Sequence, residues 1–370
     1  MTTENESPAG ARFMPPDYSI SLAAKGGTDH WLLNPGTERI QPMAGFEDTY
    51  VDIIDYILRI THRIWEQKDI GYIYGTYKHN SHVHDDYGLQ YGRDKIVADT
   101  VHTINAFPDV RLYADEVIWA GDDQTGFHTS HRTVIVGHNT GWSRYGPPTG
   151  KKVTTCCVAN CSALQNEIYE EWVVYDTAAL IKQLGFDVRE KARELGNLNP
   201  AYDSVDVRFG ERQRLLGQGK PAHLPPPPAG GQFDVEDFVR RLYHYTWNWR
   251  NLSRIDAAYA PGLRFRGSTD RAFYGVGEYQ SFLLSIMAMF PDLMHQVDDV
   301  YWMGNDRDGY LVSVRWSILG AHRGAGIYGP PTGRDVTMWG IDQLHIRNGK
   351  VLEQWMLFNE FAVMQQIFRD

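Results

Sequence analysis

Apolar residues recur at three- and four-residue spacing in two widely separated stretches of the chain. Tyr50, Ile53, Ile54, Ile57, Ile60 and Ile64 predict an amphipathic helix within Phe46 to Gln67. Phe238, Leu242, Tyr245 and Trp249 predict another within Phe233 to Arg250. After each comes a short β-prone stretch and a second helix that stops at Phe-Pro-Asp, because proline cannot donate the next backbone bond. Runs rich in β-branched and aromatic residues then predict strands; in the first half these are 110–120, 126–137, 153–161 and 168–175.

The two halves share residues as well as pattern. The hexapeptide YGPPTG stands at Tyr145–Gly150 and again at Tyr328–Gly333. At the same constant shift Phe107-Pro108-Asp109 meets Phe290-Pro291-Asp292, Trp119 meets Trp302, Arg132 meets Arg315, and Glu170-x-Trp172 meets Glu353-x-Trp355. Upstream, Trp65 through Tyr77 matches Trp247 through Tyr259 at a shift one residue shorter, so a one-residue gap lies between. A recurring turn would not carry its flanks along. The pattern is a tandem duplication, and the hexapeptide itself reads as a turn between two long strands. Helices followed by a run of strands predict an α+β architecture, a curved antiparallel sheet wrapped around helices, twice over. The expected organisation is an N-terminal arm (1–45), a first domain (46–185), a helical and Pro-rich linker (186–231) and a second domain (232–370). The linker holds a charged helical piece at 188–195 and the string HLPPPPAGG, a stiff spacer ending in flexible glycines. Trp31-Leu32-Leu33 could anchor the arm onto a domain; a disordered tail is the alternative.

Composition adds exclusions. At 370 residues the chain is long enough for two cores, and 42% hydrophobic with 22% charged residues is ordinary for a globular protein. A net charge of −10 without a long basic block argues against nucleic acid as a partner. The polar start MTTENESPAG and the lack of a long apolar run predict neither a signal peptide nor a membrane partner. The three cysteines, Cys156, Cys157 and Cys161, make no disulfide framework. A reduced, cytoplasmic protein is expected.

The ordered motifs, helix, FPD, G-D/N-D, R-x-x-x-x-G, PPTG and E-x-W-x-x-x-D/N, occur in each half. In that order they resemble the SnoaL-like polyketide cyclase and ester cyclase group, within the superfamily named after nuclear transport factor two. The resemblance covers roughly 46–185 and 230–370. It implies two cone-shaped, cystatin-like α+β barrels, each with a deep apolar pocket, that work without metal or other cofactor. It also implies that a tandem chain pairs its own two domains as an internal pseudo-dimer, with further homo-oligomerisation left open. In the cyclase branch an acidic residue directly follows the tryptophan and serves as general acid/base. Here that position is Val173, and Met356 in the second copy. Asp176 matches an aspartate that many such sequences keep, and it becomes Asn359 in the second copy.

Titratable residues are unevenly distributed between the halves. The first has His79, His82, His84, Asp85 and Asp86 in KHNSHVHDDYGLQY, and His128 and His131 where the second has Leu311 and Val314. Side chains alternate along a strand, so His128, Ser130 and Arg132 share one face. Because Ser130 and Arg132 occur in both copies, that face is expected to line the pocket, with His131 on the other. The predicted catalytic set is His84 or His128 to move a proton, Asp176 to orient or assist it, and Arg132 to steady oxyanion charge. Tyr74, His82, His131 and Tyr175 are the candidate substrate contacts. The first domain is expected to carry the chemistry and the second to stabilise it.

With no nucleotide fingerprint, the substrate must supply its own electron sink. The expected activity is a cofactor-independent lyase, dehydratase or isomerase, or aldol-type carbon–carbon chemistry, on a small aromatic or polyketide-like molecule. A polyketide cyclase proper and a non-catalytic binder of an apolar ligand are the alternatives. The His82-x-His84 pair could also ligate zinc or iron with Asp85 or His128, but the resemblance points to no metal.

Overall fold

A computed structural model describes residues 20–198, 221–227 and 233–370. In the first half the first helix forms as the sequence pattern predicts; in the second, Leu242 of the predicted stripe is buried with Val235, Val239 and Tyr243, while Phe238, Tyr245 and Trp249 are only half-buried. The helix Ile53–Trp65 is narrower than the apolar pattern because Asp52 starts it: its carboxylate accepts the Asp55 amide at 2.8 Å. Ile53, Ile54, Ile57, Ile60 and Ile64 are all buried. The second helix, Arg93–Ala106, ends at Phe107-Pro108 as expected. In the second half, Val235–Tyr243 runs into a π-turn at His244–Asn248, and the second helix is Val276–Met289.

The first sheet comprises β1 (Tyr77–Asp85), β2 (Gly88–Tyr91), β3 (Arg111–Asp122), β4 (Gly126–His138), β5 (Lys152–Leu164) and β6 (Glu167–Tyr175) in the order β2-β1-β6-β5-β4-β3. The second repeats it with β7 (Tyr259–Gly267), β8 (Arg271–Tyr274), β9 (Met294–Asn305), β10 (Gly309–Ala321), β11 (Asp335–Arg347) and β12 (Lys350–Phe358). Two details differ from the expectation. The sheets are mixed, since β1 pairs parallel with β6 and β7 with β12. They also stay open, with β2 and β3, or β8 and β9, at the edges. The one-residue gap between the copies falls in the first hairpin. Asp86 and Tyr87 close β1–β2, whereas Ser268, Thr269 and Asp270 close β7–β8.

One face of each sheet covers its own helices; the outer faces of the two sheets meet. Val158 and Val174 pack against Trp339, Ile341 and Leu357 there. Around them the contacts are reciprocal. The Arg132 guanidinium lies 4.3 Å from the Trp355 ring, and Arg315 lies 4.1 Å from Trp172. Gln343 donates to the Ser130 hydroxyl at 3.0 Å, and Asn160 to the Ser313 hydroxyl at 3.1 Å. The two domains thus form an internal pseudo-dimer.

The flanking segments are docked more firmly than a free arm and linker would be. Trp31 donates to Asp55 at 2.7 Å, Lys25 pairs with Asp52, and Trp119 donates to the Ile20 carbonyl at 2.7 Å. Trp31 is therefore the anchor, while Leu33 is exposed. The arm before residue 20 lies outside the described residues. The predicted helical piece of the linker is a helix, Val188–Leu198, packed on the C-terminal helix Glu360–Phe368. Gly196 permits this: a Cβ there would stand 2.9 Å from the Gln365 carbonyl oxygen. Further on, His223 stacks on Trp249 at 3.8 Å; the glycines closing HLPPPPAGG lie outside the described residues. Because the sheet faces hold the halves together, cleavage within 222–231 should leave both fragments co-eluting on a sizing column. Fragments that separate in mild buffer would contradict the docking.

Candidate active site

Strand alternation decides which side chains meet a ligand. On β4, His131, Thr133 and Ile135 face the domain's own helices; on β5, Cys157, Ala159 and Cys161; on β6, Glu171, Val173 and Tyr175; on β1, Val83 and Asp85. Cross-strand register arranges them in rows. Thr129, Cys161, Glu171 and Val83 form one row, and His131, Ala159 and Val173 lead toward Asp85 in the next. With Ile57, Ile60, Ile64, Trp65 and Ile96 from the helices they enclose a cavity of about 590 Å³, a size suited to a small organic ligand. Its mouth is flanked by Asp99, His102 and Thr103 on the second helix and by Trp142 and Arg144 on the β4–β5 loop. The turn containing PPTG closes that loop, and its Tyr145 forms a wall, with its hydroxyl 2.6 Å from that of Tyr87.

Glu171, Asp85 and His131 stand inside. Burial raises the Glu171 carboxyl to about 7 while the Tyr77 hydroxyl donates to it at 2.8 Å. Burial likewise raises Asp85 to about 6, against the stabilising bonds of the Tyr87 amide at 2.7 Å and the Gln90 side chain. Burial lowers His131 to about 4, so its imidazole is neutral at physiological pH, and its Nε2 has no hydrogen-bond partner among the described residues. Two carboxyls poised near neutrality and an unpaired neutral imidazole on one apolar wall can accept, donate and relay protons.

The expected site residues divide. His131 and Tyr175 line the cavity, and Asp176 lies at its border. His84, His128, Arg132 and His82 do not: the face taken to be pocket-lining is the outer one. His84 stacks on Trp172 at 3.7 Å, and His82 meets Tyr91 edge-on. The His128 imidazole lies 3.1 Å from the Ser162 hydroxyl and beside Tyr301 of the second domain. Arg132 bonds Asp115 at 2.8 Å and Gln343 of the second domain at 2.5 Å. The Asp176 carboxylate caps the helix Thr177–Leu184 and accepts the amides of Thr269 at 2.7 Å and Asp270 at 3.3 Å across the domain boundary. Tyr74 is exposed beside Arg93. Persistence of Ser130 and Arg132 in both copies marked the surface by which the copies bind each other. The signal for Glu171 was available: Gln354 replaces it in the second copy, as Asn359 replaces Asp176, and it is in step with Val173.

The second domain has filled the same space. Where the first has Thr133, Thr100, Ala106 and Ile96, it has the buried Trp316, Leu283, Met289 and Tyr279. Gly340, in place of Cys157, admits the Trp316 ring, since a Cβ there would lie 2.6 Å from it. Asp342 replaces Ala159; it accepts from Trp316 at 2.8 Å, Gln354 at 2.6 Å and Tyr243.

Buried carboxyls make stability depend on pH. Glu171, Asp342 and Asp86 are raised to about 7, 7 and 8 from ordinary values of 4.5, 3.8 and 3.8. A raised carboxyl stabilises the fold fully below its unfolded value and loses that contribution as pH passes its folded value. His131 and His295, lowered to about 4 and 3, have the opposite dependence, but only below their ordinary 6.5. Above pH 6.5 the carboxyls act in the same direction as the three buried thiols, which burial raises as well, and the melting temperature should fall with rising pH. Glu171→Gln should make that slope shallower; an unchanged slope would contradict a raised Glu171.

The fold and the twofold pattern are those of a known group. The chain belongs to the SnoaL-like polyketide cyclase family, whose model matches residues 56–184 and again 237–367. Among solved structures it is similar to a protein described as a SnoaL-like polyketide cyclase from Jannaschia sp. CCS1, with 23% identity, a TM-score of 0.34, and coverage of 38% of this chain and 99% of that one. It is also similar to IdmH, described as a polyketide cyclase from Streptomyces antibioticus, at 21% identity and TM-score 0.31, covering 35% and 96%. A third is AclR, described as a hydroxylase from Streptomyces galilaeus, at 22% identity and TM-score 0.29, covering 33% and 73%. No curated protein matches the chain. Family membership supports an enzyme. Among the described residues no helix is long and apolar enough to cross a membrane.

Proposed function

We propose that the chain is a cofactor-independent general acid/base enzyme acting on a small aromatic or polyketide-like molecule in the cavity of the first domain. One observation carries the reading: Glu171, Asp85 and a neutral His131 face the same apolar cavity. Glu171, half-ionised near neutral pH, takes a proton from carbon next to a carbonyl. The His131 imidazole hydrogen-bonds the carbonyl oxygen where negative charge develops, and the protonated Glu171 gives its proton back, directly or relayed through Asp85. The enolate then closes an aldol bond, loses water or a small carbonyl fragment, or is reprotonated elsewhere. These are the cyclase, lyase or dehydratase, and isomerase outcomes. His128, Arg132 and Asp176 act in this scheme by docking the second domain against the strands that carry the site, and His84 by backing Trp172, which meets Trp339 and Arg315 there.

The test is proton exchange. α-Tetralone, an aromatic ketone with slowly exchanging α-protons, should lose them to D2O faster with the protein than without, as followed by NMR. The largely apolar lining equally suits a non-catalytic binder. Thermal stabilisation by α-tetralone without accelerated exchange would favour that alternative.

A further inference from the structure

The mouth of the cavity is chemically unlike its interior. Arg144 is exposed there, its guanidinium 3.9 Å from the Tyr87 ring. Among the described residues no carboxylate stands at ion-pair distance from it, although the buried Asp85 and Asp86 feel its charge; other arginines at domain surfaces commonly have a direct partner, as Arg63 has Asp69 and Arg241 has Asp237. It is the only arginine or lysine lining the cavity among the described residues. Two residues before it, Trp142 is 73% exposed at the same mouth, while most tryptophans of the chain are at least partly buried. The second copy, whose cavity space is filled, has Ala325 and Ile327 at these two positions. A cation and an exposed indole thus accompany the open cavity and are missing where it is packed.

We infer that Arg144 and Trp142 select ligands bearing a carboxylate: the substrate is a planar aromatic acid, its rings in the apolar cavity and its acid group held at the mouth by the Arg144 fork. The guanidinium offers paired donors matched to a carboxylate, and its stacking on Tyr87 fixes the plane in which they point. The indole of Trp142 shields the pair from water. This orientation leaves the far end of the ligand against Glu171 and His131, so the inference rests on the acid/base reading for what happens there but not for recognition.

Calorimetric titration with 2-naphthoate and its neutral analogue 2-naphthamide tests it. The wild-type protein should bind 2-naphthoate more tightly. Arg144→Met, which keeps the apolar stem, should weaken 2-naphthoate about tenfold or more, the loss of one charge-assisted pair, and leave 2-naphthamide unchanged. Arg144→Lys should restore part of the preference. Equal affinity for the two ligands, no binding of either, or an acid preference that survives Arg144→Met would overturn the inference. Absence of proton exchange with the acid preference intact would sink only the catalytic reading.

Discussion

Glu171→Gln and His131→Val should each lower turnover by about 10²–10⁴-fold, the contribution of a positioned general acid or base. Both write the second copy's residue into the first, Gln354 and Val314 being the counterparts. Neither should unfold the protein. Gln can still accept the Tyr77 hydroxyl, and Val replaces a histidine whose Nε2 is unpartnered. Relative melting temperatures and ligand affinities should stay near wild type while the rate falls. His128→Leu is the informative control. Its ring sits between Ser162 and Tyr301 at the domain boundary, so it should change the rate only within a few-fold. Full activity in Glu171→Gln, or its loss in His128→Leu, would place the chemistry on the other face of the sheet.

Trp316→Thr is the second large effect, on stability rather than rate. The substitution writes the Thr133 counterpart into a fully buried site. It removes an indole from the core and a donor from Asp342. The cost should be about 3–5 kcal/mol, as for other large aromatic truncations, or a drop in melting temperature on the order of 10 °C. Turnover of the folded protein at low temperature should persist, since the cavity with Glu171 is in the other domain. A melting temperature within a degree or two of wild type would mean the second cone is not filled as described. Lost turnover while the protein remains folded would give that domain a catalytic part.

The sequence carried the fold far because its signals are local or repeated. The isoleucine spacing of 53–64 is a strong local signal, and the Phe-Pro-Asp stops and the strand runs recur, so the two copies check one another. The mixed sheet was less legible. The parallel pairing of β1 with β6 joins segments far apart in sequence, and the His-rich β1 has little β-branched character to announce it. For the site, alternation correctly separated His131 from Arg132 but could not say which face was inside. The repeated pair Ser130 and Arg132 reads equally well as pocket or as self-pairing surface, and only the partner sheet, with Trp355 over Arg132, distinguishes them. Asp176 misled for a related reason. A carboxylate replaced by asparagine looks catalytic, yet its oxygens are engaged by a helix amide and by the turn at Thr269 and Asp270.

That turn has a wider meaning. Thr269 and Asp270 both adopt positive φ, 63° and 57°, and the residue that lengthens this hairpin in the second copy lets it reach Asp176. In a homodimer any such change would appear on both subunits, and a residue that closed one cavity would close its twin. Fusing the copies into one chain removes that constraint. One half could give up its chamber to become ballast, and grow a latch toward its neighbour, without costing the neighbour its own. Ligand titrations should accordingly saturate at one equivalent per chain, where an ancestral pair of separate subunits would have taken two per pair.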